Sequence, residues 1–138
     1  MTQSLTADQS KDRRQSKIVL AVDDSAETLA LLKAAITSAG YTFMGAQSGK
    51  ECLDLVARVQ PRLILLDLQM PEINGFEVCR QLRASRNARD VPIAFLTASK
   101  TVEDVRAGIG AGGNDFIIKP PDLEKLLGRI AHWTSRRV

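Results

Sequence analysis

The sequence predicts an α/β fold, a three-layer doubly wound (βα)5 arrangement with a central five-stranded parallel sheet covered by helices. Three observations carry this prediction. From Lys17 onward, short apolar runs alternate strictly with amphipathic segments. The runs are continuously apolar, as strands buried on both faces require. The segments between them carry helical stripes and caps. Strict βα alternation with such strands means a parallel sheet between two helical layers.

The elements follow in order. "KIVLAV" (17–22) is the first strand, and Leu29, Leu32 and Ile36 stripe the first helix, which Gly40 stops. "YTFMGA" (41–46) is the second strand, at an edge of the sheet, and Ser48 with Glu51 forms a capping box for the second helix. "RLILLD" (62–67) runs into a loop with Pro71, and the third helix spans Gly75 to Arg83. After "VPIAFLT" (91–97), Val102, Val105 and Ile109 stripe the fourth helix. Gly108, Gly110, Gly112 and Gly113 crowd its end. One of them is expected to close the helix, and Gly108 to lie inside it. An internal glycine costs about 0.8–1.0 kcal/mol relative to alanine, so Gly108→Ala is expected to stabilise the domain by up to about 1 kcal/mol if its backbone angles are helical. "NDFIIK" (114–119) is the fifth strand, and the fifth helix opens at Pro120-Pro121-Asp122 and carries Leu123, Leu127 and Ile130. Residues 1–16 are polar and aperiodic, which predicts a disordered arm. The domain is expected over 17–135, with a short tail over 136–138.

Composition narrows the function classes. The chain of 138 residues is 44% hydrophobic, enough for one domain with a real core. It has no apolar run of membrane-spanning length and no secretory signal. Its two cysteines, Cys52 and Cys79, make no disulfide framework. A cytoplasmic protein is expected. The net charge of +3 comes from the ends: residues 18–135 hold 13 positive and 14 negative charges. A nucleic-acid groove is therefore not expected.

In doubly wound sheets, ligands bind beyond the carboxyl ends of the strands. The first strand ends in Asp23-Asp24, the third in Asp67, the fourth in Thr97 and the fifth in Lys119. Only the second lacks such a group. Three close carboxylates repel and need a cation at neutral pH. With hard oxygen ligands and no Cys or His cluster, that cation is Mg²⁺. Lys119 supplies a point charge and Thr97 a hydroxyl for the oxygens of a transferring phosphoryl group. A carboxylate can be the nucleophile, giving an aspartyl-phosphate. Asp67 is central and solitary, while the adjacent Asp23 and Asp24 suit the ion. Taken alone, Asp24 or Ser25 could equally serve to cap the first helix.

At "VDDS" (22–25), "LLDLQMPEINGFE" (65–77), "FLTAS" (95–99) and "GGNDFIIKP" (112–120) the chain resembles the receiver domains of two-component response regulators. The resemblance covers everything outside the tails. It implies a flavodoxin-like fold with strand order 2-1-3-4-5. It implies Asp67 as phosphoacceptor from a sensor histidine kinase or histidine phosphotransfer protein. Asp24, Asp67 and the main-chain carbonyl of Gln69 would bind Mg²⁺ directly, and Asp23 through water. Lys119 would pair with the phosphoryl group, Thr97 would move to meet it, and Phe116 would rotate inward behind Thr97. The Lys119–Pro120 bond would be cis. Phe116 stands where many relatives have tyrosine.

A stand-alone receiver is expected, not a conventional enzyme, with output by phosphorylation-dependent binding to a target protein or by dimerisation, and without nucleic acid or membrane. Two rivals share the residues. Phosphatases of the haloacid dehalogenase type need a second aspartate two positions on, where Ser25 and Gln69 stand. A non-phosphorylated interaction module would not need the full set of rim residues. "GAQSGKE" (45–51) mimics a P-loop, but its glycines enclose three residues rather than four, and Glu51 replaces the Ser/Thr. His132 reads as a surface residue, and Trp133 as a packing or contact residue.

Overall fold

The computed structural model describes residues 16–98 and 100–135. The expected arm, Ser16 apart, and the tail lie outside the described residues. The strands are β1 (Ile18–Val22), β2 (Thr42–Ala46), β3 (Leu63–Asp67), β4 (Ile93–Thr97) and β5 (Asp115–Ile118). The helices are α1 (Ala26–Ser38), α2 (Gly49–Val56), α3 (Gly75–Arg83), α4 (Val102–Ala111) and α5 (Leu123–Thr134). All strands pair in parallel, in the order β2-β1-β3-β4-β5. No helix among the described residues is long and apolar enough to cross a membrane.

The two-residue period of the strands sorts the core. Leu20, Val22, Ile64, Leu66, Ile93, Phe95 and Phe116 face one way and meet α2, α3 and α4 through Cys52, Val56, Val78, Leu82 and Ala111. Val19, Ala21, Leu63, Leu65, Ala94, Leu96 and Ile117 face the other way and meet α1 and α5 through Leu32, Ile36, Leu126 and Ile130. Both faces of β1, β3 and β4 are covered, so their apolar runs need no polar alternation.

Helix starts follow the side chains that hold them. Ser25, Ser48, Asn74, Thr101 and Asp122 each accept the backbone N–H three residues on. The capping box differs in one detail. Glu51 reaches back to the amide of Gln47 at 2.8 Å, one residue before the cap.

Three sequence readings are corrected here. On α4, Val102 and Ile109 are exposed, at 67% and 64%, while Val105 packs half-buried against the core beside the buried Gly108 and Ala111. The helix meets the sheet with its small residues because the rings of Phe95 and Phe116 already fill the space. A Cβ on Gly108 would lie 2.3 Å from Phe116 Cζ, so Gly108→Ala forces a shift in the packing and is expected to destabilise rather than stabilise. On α5, Leu123 is exposed and Leu126 is buried with Ile130, because the helix begins only after the Asp122 cap. Gly112, with φ of 102°, is the glycine that closes α4.

Candidate functional site

β1, β3 and β5 deliver their last side chains to one rim. Val19, Ala21 and Asp23 share a face, as do Leu63, Leu65 and Asp67, and Ile117 and Lys119. Three charges therefore meet where β1 and β3 lie side by side. Lys119 Nζ stands 3.0 Å from Asp23 Oδ2 and 3.3 Å from Asp67 Oδ1. Asp23 is fully buried and its other oxygen accepts the Ser25 amide at 2.9 Å. Asp67 is 3% exposed and also accepts the Gln69 amide at 3.3 Å. Asp24 is exposed; Ser25, not Asp24, caps α1, which leaves the Asp24 carboxylate to the rim. Thr97 is buried at the end of β4, on the opposite face from Asp67.

The electrostatics follow from burial. Withdrawal from water, reinforced by the charge of Asp23, pushes the Asp67 carboxyl above its usual range, against the pull of Lys119 and the Gln69 amide. Burial alone would lower the Lys119 ammonium; the Asp23 hydrogen bond and the charges of Asp67 and Asp23 outweigh it and raise it. Oxygens of Asp23, Asp24 and Asp67 lie within 4.8 Å of one another. One ammonium shared by two buried carboxylates, with a third carboxylate beside them, leaves negative charge uncompensated. This all-oxygen donor set fits a hard divalent cation such as Mg²⁺.

The loop after Asp67 carries two features that sequence reasoning missed. A Cβ on Gly75 would meet the Asp67 carbonyl oxygen at 2.4 Å, so only glycine lets α3 start against the strand end. Glu72 has φ of 72°, inside a tight turn closed by the Ile73 amide on the Pro71 carbonyl at 2.8 Å. The loop glycine was a visible signal for the first, while nothing in the residue type marks Glu72. The Phe116 ring is buried, 8% exposed, with its centroid 5.2 Å from that of Phe95. The Lys119–Pro120 bond is cis.

Residues 19–131 match the response regulator receiver domain. The chain belongs to this family. As a receiver domain it is a phosphorylation-dependent signalling switch rather than a conventional enzyme, and the phosphatase reading is not favoured. It is 42% identical over 112 residues to response regulator MprA of Mycolicibacterium vanbaalenii, covering 81% of this chain and 48% of the relative. The chain thus spans about half the length of the curated relatives it matches. Chemotaxis protein CheY4 of Vibrio cholerae superimposes with a TM-score of 0.82 at 29% identity, over 85% of this chain and 98% of the other. The receiver domain of sensor histidine kinase PA1611 of Pseudomonas aeruginosa superimposes with a TM-score of 0.81 at 28% identity, over 88% and 99%. That structure holds a magnesium ion in its active-site cleft.

Proposed function

We propose that Asp67 is the phosphoacceptor of this receiver domain, within residues 17–135, and that a phosphohistidine of a sensor kinase or phosphotransfer protein is the donor. An Asp67 oxygen forms the new bond to phosphorus as the bond from phosphorus to the imidazole nitrogen breaks, and the electron pair leaves with the imidazole. The single observation that carries this reading is the position of Asp67. It is a buried carboxylate at the end of a central strand, its charge only partly matched by a shared Lys119.

Asp23, Asp24 and Asp67, with the Gln69 carbonyl, would hold Mg²⁺. The bound ion supplies positive charge against the phosphoryl oxygens. Lys119 turns from the carboxylates towards the incoming phosphoryl group, and Thr97 donates its hydroxyl to it. Output passes through the surface made by α4, β5 and α5 to a target protein or a second receiver. Labelling by acetyl phosphate with Mg²⁺ tests the assignment. Wild type should label and Asp67→Asn should not, while Thr97→Ala should label yet lose partner binding. A stable aspartyl-phosphate on Asp67→Asn would overturn the choice of nucleophile.

A further inference from the structure

Charges that nearly cancel along the sequence separate in space. The strands run from one pole of the sheet to the rim and the helices return, so helix starts gather at the rim and helix ends at the opposite pole. Glu27, Glu51, Glu77, Glu103 and Glu124 lie in first turns, beside the carboxylates of the rim. With those carboxylates they outnumber the lysines of that end, Lys50, Lys100, Lys119 and Lys125. The opposite pole carries exposed Lys17, Arg58, Arg86 and Arg89. Of the acids there, Asp90 lies 3.9 Å from Arg89, and Asp115 is held by Arg129 and Trp133. Arg58 and Arg86 have no ion-pair partner among the described residues.

One run of contacts crosses this pole. Asn87 donates to the Val56 carbonyl at 2.9 Å and accepts from Gln60 Nε2 at 3.4 Å, which seats the loop of Arg86 against the end of α2. Two residues on, the Arg62 amide meets the Ile18 carbonyl at 2.8 Å, and Arg62 Nε meets the Thr134 carbonyl at 2.7 Å. The ends of the described chain, Ser16 and Ser135, are thereby brought to the same pole. The sequence beyond them adds Lys11, Arg13 and Arg14 on one side and Arg136 and Arg137 on the other, against Asp8 and Asp12. Basic stretches from opposite ends of the sequence thus join the domain where Arg58, Arg86 and Arg89 stand. Helix polarity, which favours cations in last turns, does not account for this. The last turns of α1, α2 and α4 have no basic residue, and Arg86 and Arg89 lie beyond α3.

We propose that this pole docks the phosphate backbone of a nucleic acid without reading its bases. Arginine dominates the cluster, and its planar fork matches phosphate oxygens in pairs where an ammonium acts as a point charge. Exposed guanidiniums at loops and chain ends suit contacts to the backbone, which carry no sequence information. The same polyanion repels the acidic rim, so the bound domain turns Asp67 away from it. A membrane surface would call for an apolar face beside the charge. The large exposed apolar residues lie instead on α1, α4, β5 and α5, not on the segments that carry these arginines.

Fluorescence anisotropy of a short labelled DNA duplex in metal-free buffer at low salt tests the proposal. Affinity should fall with salt, with a slope that reports the phosphates contacted. Arg58→Ala with Arg86→Ala should weaken binding about tenfold and lower that slope by about two. Arg136→Ala with Arg137→Ala should do the same. Lys33→Ala with Lys50→Ala removes equal charge from exposed sites away from the pole and should stay within about twofold. Equal weakening by all three pairs would mean that binding follows net charge alone and would overturn the proposal. So would an absence of duplex binding at low salt, or a strong preference between duplexes of unrelated sequence. Tighter binding to phosphatidylserine vesicles or to polyglutamate than to the duplex would overturn the choice of nucleic acid. Thermal melts confirm that each variant is folded. Asp67→Asn should bind the duplex as wild type does, so the outcome stands apart from the phosphoacceptor reading.

Discussion

The Lys119 ammonium stands 3.0 Å from a carboxylate oxygen of Asp23, a side chain with no exposed surface. The same ammonium reaches Asp67, so one cation serves two buried anions. Lys119→Ala would leave both carboxylates facing each other. Without metal it should lose about 1–3 kcal/mol, less than a fully buried pair because the lysine is a quarter exposed. Mg²⁺ should restore more stability to the variant than to wild type, since the ion replaces the lost charge. Phosphoryl transfer should fall about a hundredfold. Thermal melts with and without Mg²⁺, beside labelling rates, check this.

Asp67→Asn should stabilise the metal-free domain. The Asp67 carboxyl titrates above its usual range in the folded state, chiefly through burial and then through Asp23. Ionised Asp67 therefore works against the fold at neutral pH, and a neutral amide removes that penalty. The melting temperature should rise by a few degrees without Mg²⁺, and its increase on adding Mg²⁺ should shrink. A lower melting temperature in metal-free buffer would contradict the electrostatic account.

Asp115 sets an acid-dependent term away from the site. It pairs with Arg129, accepts Trp133 Nε1 at 2.8 Å and accepts the Phe116 amide at 2.8 Å. Burial alone would raise its carboxyl, but these hydrogen bonds outweigh burial and hold it below the usual range. A depressed folded value means stability that is complete above the unfolded value and lost as pH falls through the folded one. Asp115→Asn should be less stable than wild type by about 1–2 kcal/mol at neutral pH. The gap should close as pH drops below about 4. Urea midpoints across that range, read by the single tryptophan, measure it.

Gly110 and Gly128 lie within α4 and α5, and a Cβ on either would meet nothing within 4 Å. Each change to alanine should stabilise the domain by about 0.5–1 kcal/mol. Chemical denaturation of the two variants against Gly108→Ala should give opposite signs.

Arg83→Met should cost about 2–4 kcal/mol, because the carbonyls of Ala88, Val91 and Gly112 lose a charged donor. Amide exchange should quicken first around Gly112 to Asn114. Unchanged protection there would show that the guanidinium is not what holds this end of α4.

The strand and helix pattern, the parallel sheet and the convergence of Asp23, Asp24, Asp67 and Lys119 on one rim were legible in the sequence. Their signals are local: a continuous apolar run, a capping residue, a glycine stop. Chain topology then carries every strand end to the same rim, so the meeting of these charges followed without coordinates. What only the tertiary structure decided involves residues far apart in the chain. Lys119 shares itself between Asp23 and Asp67 across 96 and 52 positions. The stripe Val102, Val105 and Ile109 pointed to the core face of α4, yet of these only Val105 packs there, half-buried, beside the buried Gly108 and Ala111. Periodicity reads a face from its own side chains and is blind to what stands opposite. Here two phenylalanine rings stand opposite, and a helix can approach them closely only along its smallest residues.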